Sequence, residues 1–485
     1  MVDVAKMVVS HIKHAAKMAV FYENDVAKMA CCDKMMLELI IMFKRKAYSK
    51  LLNWKEKMAG KYSCLLEGPR RVGKSTIAEE FAKNNYESYI LVDFSKLTKE
   101  EEDVFENIND LDFFFLRLQT VKGIILKERK SVIIFDEIQF APKVRQAIKH
   151  LVKDGRYDYI ETGSLISIKK NVKNILIPSE EYKIDVYPMD YEEFCWACGY
   201  NYNIIEEIYK YNRSMGQSVN RKLMRDFRTY MAVGGMPQAV EAFILDKNFE
   251  SVDRIKKEIL ELYSNDFFRI DPSGMLSALY NSIPSQLAKN NKFYITKVTN
   301  KKVTNKDREF IFDLLNSKTV LPCYKVNDPS LSLNGTKDID NFKLYLSDIG
   351  LFTTMLFNDK LSTNENIYVK LLSDKLDVNL GYLYENAIAQ IIKSNDRDLF
   401  YYVFKNDETT RNYEIDFLTT DSNKLVPIEV KSSETKNHKS INEFSKKYSS
   451  KISRRILFSQ DDISNDEMLE LKPIYLAPLT IKNFK

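Results

Sequence analysis

The stretch Gly68-Pro-Arg-Arg-Val-Gly73-Lys74-Ser75 constrains this chain more than any other part of it. It has the spacing G-x-x-x-x-G-K-[ST], in which glycines let the backbone curl so that N–H groups point at phosphate oxygens. The apolar run Tyr62–Glu67 stops just before Gly68, and Lys74–Asn84 reads as a helix. A strand therefore feeds the loop and a positive helix N-terminus closes it. The chain holds only 14 glycines in 485 residues, so a chance match is improbable. We expect Gly68, Pro69, Arg70, Arg71, Val72, Gly73, Lys74, Ser75 and Thr76 to form an ATP site. Lys74 would reach the β- and γ-phosphates, and Ser75 would hold Mg2+.

A second constellation follows at Val132-Ile-Ile-Phe-Asp136-Glu137. A buried strand ends in an acid suited to Mg2+, and the next acid can polarise an attacking water. Two acids at a strand end are common alone; downstream of a P-loop they point to ATP hydrolysis, with Glu137 and Lys74 as its catalytic residues. Thr162 and Ser164, at the tip of the run Tyr157–Glu161, are candidates for contact with the γ-phosphate, the plainer reading being a turn.

Short apolar runs at Tyr62–Glu67, Tyr89–Phe94, Val132–Phe135 and Tyr157–Glu161 alternate with helical stretches. That pattern predicts an α/β fold with a parallel sheet covered on both faces. Beyond Tyr182 the texture turns helical: Asp190–Tyr200, Tyr202–Asn212, Arg221–Ala232 and Ser251–Phe268, broken at Gly234-Gly235-Met236-Pro237. A helix at Asp307–Asn316, followed by β-rich Thr319–Val326 and Phe342–Leu346, suits a winged-helix module. The last third, with a helix at Gly381–Ile392 and strands at Tyr413–Leu418, Val426–Val430 and Arg455–Ser459, reads as a separate α/β domain.

Composition narrows the setting. A net charge of +5 permits nucleic-acid binding without arguing for it. The six cysteines are scattered, and Cys195-x-x-Cys198 has no second pair, so a zinc site is disfavoured and a reducing cytoplasm is expected. No apolar stretch is long enough to cross a bilayer; Met35–Phe43 is short and broken by Glu38. At the N-terminus Asp3-Val-Ala-Lys-Met7, His14-Ala-Ala-Lys-Met18 and Asp25-Val-Ala-Lys-Met29 recur every eleven residues. This is a helical tail or a translated duplication ahead of a start at Met42.

Taken in order, Glu67–Ser75, Asp136-Glu-Ile-Gln139, Thr162-Gly-Ser164, Tyr187-Pro-Met-Asp-Tyr-Glu-Glu-Phe194, Gly234-Gly-Met-Pro237, Phe342-Lys-Leu-Tyr-Leu-Ser-Asp-Ile-Gly350 and Gly381-Tyr-Leu-Tyr-Glu385-Asn form a set. That set resembles the prokaryotic AAA-type ATPases that carry a C-terminal domain of unknown function. The resemblance covers nearly everything after Met42. It implies an AAA-type P-loop core over 42–180, a helical lid over 181–270, a winged-helix-like segment over 271–355 and a nuclease-like domain over 356–485. Residues 1–41 form an extension outside it.

Within that last domain, Glu414-Ile-Asp416 and Val426-Pro-Ile-Glu429-Val-Lys431 lie on successive predicted strands. Alternation puts Glu429 and Lys431 on one face, and Asp416 joins them if the strands are neighbours. Two carboxylates and a lysine can hold Mg2+ and position water for phosphodiester cleavage. The pattern looks like the PD-(D/E)xK nuclease signature, with Ile415 where that signature often has proline, and Glu385 matches the acid that often completes the site. The usual explanation of an acid–x–lysine strand is a solvated face, and such folds often lose cleavage, so nuclease activity stays open. Lys436, Lys439, Lys446, Lys447, Lys451, Arg454 and Arg455, with Phe444 and Tyr448 among them, could track a phosphate backbone or form a solvated helix face.

The expected function is an ATP-driven switch coupled to a nuclease-like domain that acts on or binds nucleic acid, DNA being the candidate. The rival is a non-enzymatic ATP-dependent regulator whose last domain only binds DNA or protein. A small-molecule kinase is disfavoured by the Asp-Glu pair. Arg156 and Arg269 are both open as arginine finger, and a homo-oligomer or a partner protein is open too.

Overall fold

Strand β1, Ser63–Glu67, is buried at every position, and so are β3, Ser131–Asp136, and β4, Asp158–Gly163. Such strands can be satisfied only inside a sheet covered on both faces. With β2, Ser88–Asp93, and β5, Glu181–Asp185, they form a five-stranded sheet in the order β2-β3-β4-β1-β5, every pairing parallel. The chain leaves β1, crosses to the far edge at β2 and works back, so the C-terminal tips of β1, β3 and β4 lie side by side. A ligand site belongs at that topological switch. β5 pairs with β1 through Glu67↔Asp185, so the sheet runs past the boundary expected at 180.

This computed structural model describes residues 42–485 apart from 107, 165–177, 291, 300–302, 330–331, 358–363, 375–380, 406–411, 433–437 and 467–468. The eleven-residue repeat, Lys436, Cys31 and Cys32 lie outside the described residues.

Helices Tyr191–Ala197, Tyr202–Tyr211, Gln217–Val233, Pro237–Asp246 and Phe249–Ile270 follow the sheet. The break at Gly234-Gly235 has a packing cause: a Cβ on Gly235 would lie 1.9 Å from the carbonyl oxygen of Met189. Gly235 N–H donates to Asp348 Oδ2 at 2.6 Å, and Leu351 N–H donates to Asp348 Oδ1 at 2.8 Å. Gln390 donates to Met189 O at 3.0 Å and accepts from Ile349 N–H at 2.9 Å. Four motifs that are distant in sequence thus meet in one buried junction.

The remainder builds two sheets. One has β6, Val320–Val326, β7, Lys337–Leu346, β8, Leu399–Lys405, and β9, Asn412–Ile415, in the order β7-β6-β8-β9. The other has β10, Phe417–Asp421, β11, Lys424–Val430, β12, Arg455–Ser459, β13, Ser464–Asp466, and β14, Leu469–Pro473, in the order β10-β11-β12-β14-β13. The helix-then-hairpin expected of the middle segment is present as Asn305–Asn316 and β6–β7, but β6 also pairs in parallel with β8. Strand pairing therefore crosses the boundary expected at 355. The run expected as one strand, Tyr413–Leu418, is divided at Asp416, where the chain passes from one sheet to the other. Helix Gly381–Ser394 packs against β7 and β11 and so touches both.

Candidate functional site

The P-loop leaves β1 at Gly68, where a Cβ would lie 2.1 Å from Val186 O; only glycine leaves room for this turn. Arg71 has φ 70° and Gly73, the N-cap of helix Lys74–Asn85, has φ 88°. Lys74 is buried and its Nζ donates to Gly68 O at 3.1 Å and Pro69 O at 2.9 Å. Burial pushes the Lys74 ammonium down to about 8, against the pull of Glu137 and Asp136. Ser75 Oγ donates to Asp136 Oδ1 at 2.6 Å. The two constellations read from the sequence therefore meet, because β3 is separated from β1 by β4 alone.

Thr162, on that intervening strand, donates its hydroxyl to Asp136 Oδ1 and accepts from Glu137 N–H at 3.4 Å. Glu137 itself adopts φ 54°, and Gln139 Nε2 donates to its Oε2. Ser164 lines a cavity of about 500 Å3 together with Glu137, Gln139, Arg70 and Arg269. Arg269 comes from helix Phe249–Ile270, whose Asp266 takes Arg70 in an ion pair at 2.9 Å and whose Tyr263 hydroxyl donates to Arg70 O at 3.0 Å. Arg156 is elsewhere, paired with Asp112 at 2.7 Å and Asp154 at 2.8 Å ahead of the first residue of β4. Of the two arginines left open by the sequence, only Arg269 lines this cavity. Val72 is buried while Arg71 and Thr76 are exposed.

Two groups that sequence reasoning did not single out support the loop. Arg45 donates to Val72 O at 2.9 Å and Tyr187 O at 2.6 Å, and pairs with Glu193 at 3.2 Å. Lys318 donates to Glu67 Oε2 at 3.0 Å and also pairs with Asp185. Neither has a local signal, since each works on residues far from it in sequence.

At the C-terminal cluster, Asp416 Oδ2 accepts from Val430 N–H at 2.8 Å, so the break between β9 and β10 is aimed at β11. Glu429 is buried, and Lys431 lies 3.8 Å from its Oε2. Burial pushes the Glu429 carboxyl up to about 7, and Asp416 adds to the push. Glu385 accepts from Tyr345 hydroxyl at 3.0 Å and lies 3.8 Å from Lys343 Nζ. The Mg2+ set expected here is Glu385, Asp416, Glu429 and Lys431; among the described residues no three His, Cys, Asp or Glu side chains are gathered as a metal site. The basic helix Lys439–Lys447 is present, but Phe444 is fully buried against Tyr402 and Phe404, and Tyr448 packs on both Tyr402 and Phe444. Neither ring of that stretch stands free as a stacking platform for bases. Cys195 is a buried free thiol and Cys198 a partly buried one.

A family model described as an AAA domain matches residues 61–195. Residues 224–362 match the domain of unknown function DUF8612, and residues 380–476 match the domain of unknown function DUF4143. Among solved structures, the Orc1 protein of Aeropyrum pernix, in complex with DNA, is 14% identical, with 66% of this chain and 93% of that chain covered at a TM-score of 0.29. The Thermotoga maritima RuvB Holliday junction branch migration motor is 14% identical over 51% of this chain and 76% of that one, at 0.26. Cdc6p from Pyrobaculum aerophilum is 12% identical over 67% and 92%, at 0.23. Likeness at these scores carries no argument about this chain. No curated protein matches it. The described chain thus joins an AAA-type P-loop domain to two segments that match domains of unknown function.

Proposed function

We propose that this protein binds and hydrolyses ATP at the P-loop, and that the nucleotide state governs a C-terminal nuclease-like domain that acts on or binds nucleic acid. The observation that carries the reading is Ser75 Oγ bonded to Asp136 Oδ1 at 2.6 Å, with Lys74 buried beside them and Glu137 at the mouth of the cavity. Ser75 and Asp136 would hold Mg2+, and Lys74 with the loop N–H groups would hold the phosphates. Bound Mg2+ supplies charge neutralisation at the phosphate oxygens. Glu137 is the general base for the attacking water, and Gln139 orients its carboxylate. Thr162 fixes the Asp136 carboxylate. Arg269 and Ser164 face the same cavity and are suited to the γ-phosphate.

Coupling has a physical route. Arg70–Asp266 ties the loop to the long helix, and Lys318–Glu67 ties it to the start of β6. A change at the phosphates therefore has an ion-pair contact with both later segments through which to act. The reading of the C-terminal region as nuclease-like is supported by the succession of helix Gly381–Ser394, β8 to β11, helix Lys439–Lys447 and β12, with β11 and β12 parallel.

The test is ATP binding and turnover by wild type and Lys74→Ala, together with a gel shift on single- and double-stranded DNA at two salt concentrations. Loss of both binding and turnover in Lys74→Ala is expected. Unchanged turnover in that variant would sink the ATPase reading, and no shift at low salt would sink the nucleic-acid reading.

A further inference from the structure

Lys343 lies on β7, in the hairpin that precedes the nuclease-like core, and its side chain is fully buried. An isolated ammonium is not stable in a protein interior, so its surroundings must supply negative charge. They do. Its Nζ forms an ion pair with Glu414 Oε1 at 2.7 Å and lies 3.8 Å from Glu385 Oε2. Asp416 adds to the negative charge that holds it. The carboxylates around Lys343 include Glu385 and Asp416, two of those expected to hold Mg2+.

The same geometry occupies one oxygen of Glu385. Its Oε2 already receives the Tyr345 hydroxyl and faces the ammonium. A divalent ion on that oxygen would stand beside a buried positive charge that lies 3.8 Å from it, and the low local dielectric makes that repulsion strong. On the other side of Asp416, Lys431 faces Glu429. Two lysines, Lys343 and Lys431, thus place positive charge near Asp416.

We propose that the Lys343 ammonium is the resident cation of this acid cluster, standing in for a divalent metal, so that the C-terminal domain engages nucleic acid without metal-dependent cleavage. This rests on the reading of that domain as nuclease-like and narrows it. The appended β6–β7 hairpin has a purpose in this view: it delivers Lys343 into the core as β6 pairs with β8.

The experiment is Mn2+ binding to the nucleotide-free full chain, followed by electron paramagnetic resonance, in wild type, Glu429→Gln, Lys343→Met and the double variant. Wild type and Glu429→Gln are expected to bind the same number of Mn2+ equivalents, since any ion at Ser75 and Asp136 is common to both. Lys343→Met is expected to gain one equivalent that the double variant loses. An equivalent present in wild type and lost in Glu429→Gln overturns the proposal, as does a folded Lys343→Met that gains nothing. If circular dichroism shows Lys343→Met unfolded, the comparison of wild type with Glu429→Gln decides alone. The gel shift on DNA is read separately: its failure counts against nucleic-acid engagement and leaves the metal comparison standing.

Discussion

Lys318 Nζ donates to Glu67 Oε2 at 3.0 Å, joining a residue two positions ahead of β6 to the last residue before the P-loop, across 251 positions of sequence. Glu67 is 4% exposed, and its carboxylate is held by that lysine, which Asp185 shares, and by Lys183 at 3.7 Å. Lys318→Met is expected to destabilise the protein by about 1–3 kcal/mol, because the buried Glu67 then keeps only the longer pair with half-exposed Lys183. Urea unfolding would measure this. A double-mutant cycle with Glu67→Gln should return a coupling well above 0.5 kcal/mol in magnitude if the contact is direct.

The titration of Lys74 sets a pH dependence with a definite sign. Its folded value, about 8, lies below the ordinary lysine value because burial disfavours the charge. Between about 8 and the ordinary value the unfolded chain holds more protons at this position, so this group makes stability rise with pH there. ATP phosphates demand the ammonium, so nucleotide affinity should fall as pH climbs past about 8, by up to about tenfold per pH unit. Calorimetry in two buffers of different ionisation enthalpy should detect proton uptake on binding at pH 9 and little at pH 7.

Arg269 and Arg156 are separated by the fold, and their variants should be separated by kinetics. Arg269→Ala is expected to lower kcat roughly 10²-fold, as for loss of one positioned donor to developing phosphate charge. Arg156→Ala should leave kcat unchanged and cost about 1 kcal/mol, since its partners Asp112 and Asp154 are surface pairs away from the cavity. Equal kcat for both variants would remove Arg269 from the phosphate site.

Asp348 holds a junction rather than a reaction. Asp348→Ala strands the N–H groups of Gly235 and Leu351 in the interior, at about 1–3 kcal/mol for each. A fall in Tm with intact ATP affinity in the remaining folded fraction is the expected outcome. Gly235→Ala should be worse, because its methyl would overlap Met189 O and backbone cannot move aside cheaply.

Much of the nucleotide site was legible because it is local. Glycine spacing, the lysine and serine that follow, and an acid pair after four apolar residues each act through neighbouring backbone, so Lys74, Ser75, Asp136 and Glu137 could be named from sequence. Strand and helix limits came close for the same reason; Arg455–Ser459 agrees to the residue. Pairing across the boundaries expected at 180 and 355, by β5 and β6, was not legible, because strand pairing leaves no trace in local pattern.

Chemistry at the C-terminal cluster was only half legible. The acids and Lys431 lie in a recognisable spacing, but Lys343 is one of 73 basic residues and nothing adjacent marks it as buried. Only the tertiary structure brings β7 against helix Gly381–Ser394 and makes that lysine a counter-ion to Glu385 and Glu414. The choice of Arg269 over Arg156 is of the same kind. Sequence by itself determined which residues form the P-loop, since that needs a short loop and a helix end. Tertiary structure decided which charges meet, since a buried ion pair is an energy between segments that no single segment contains.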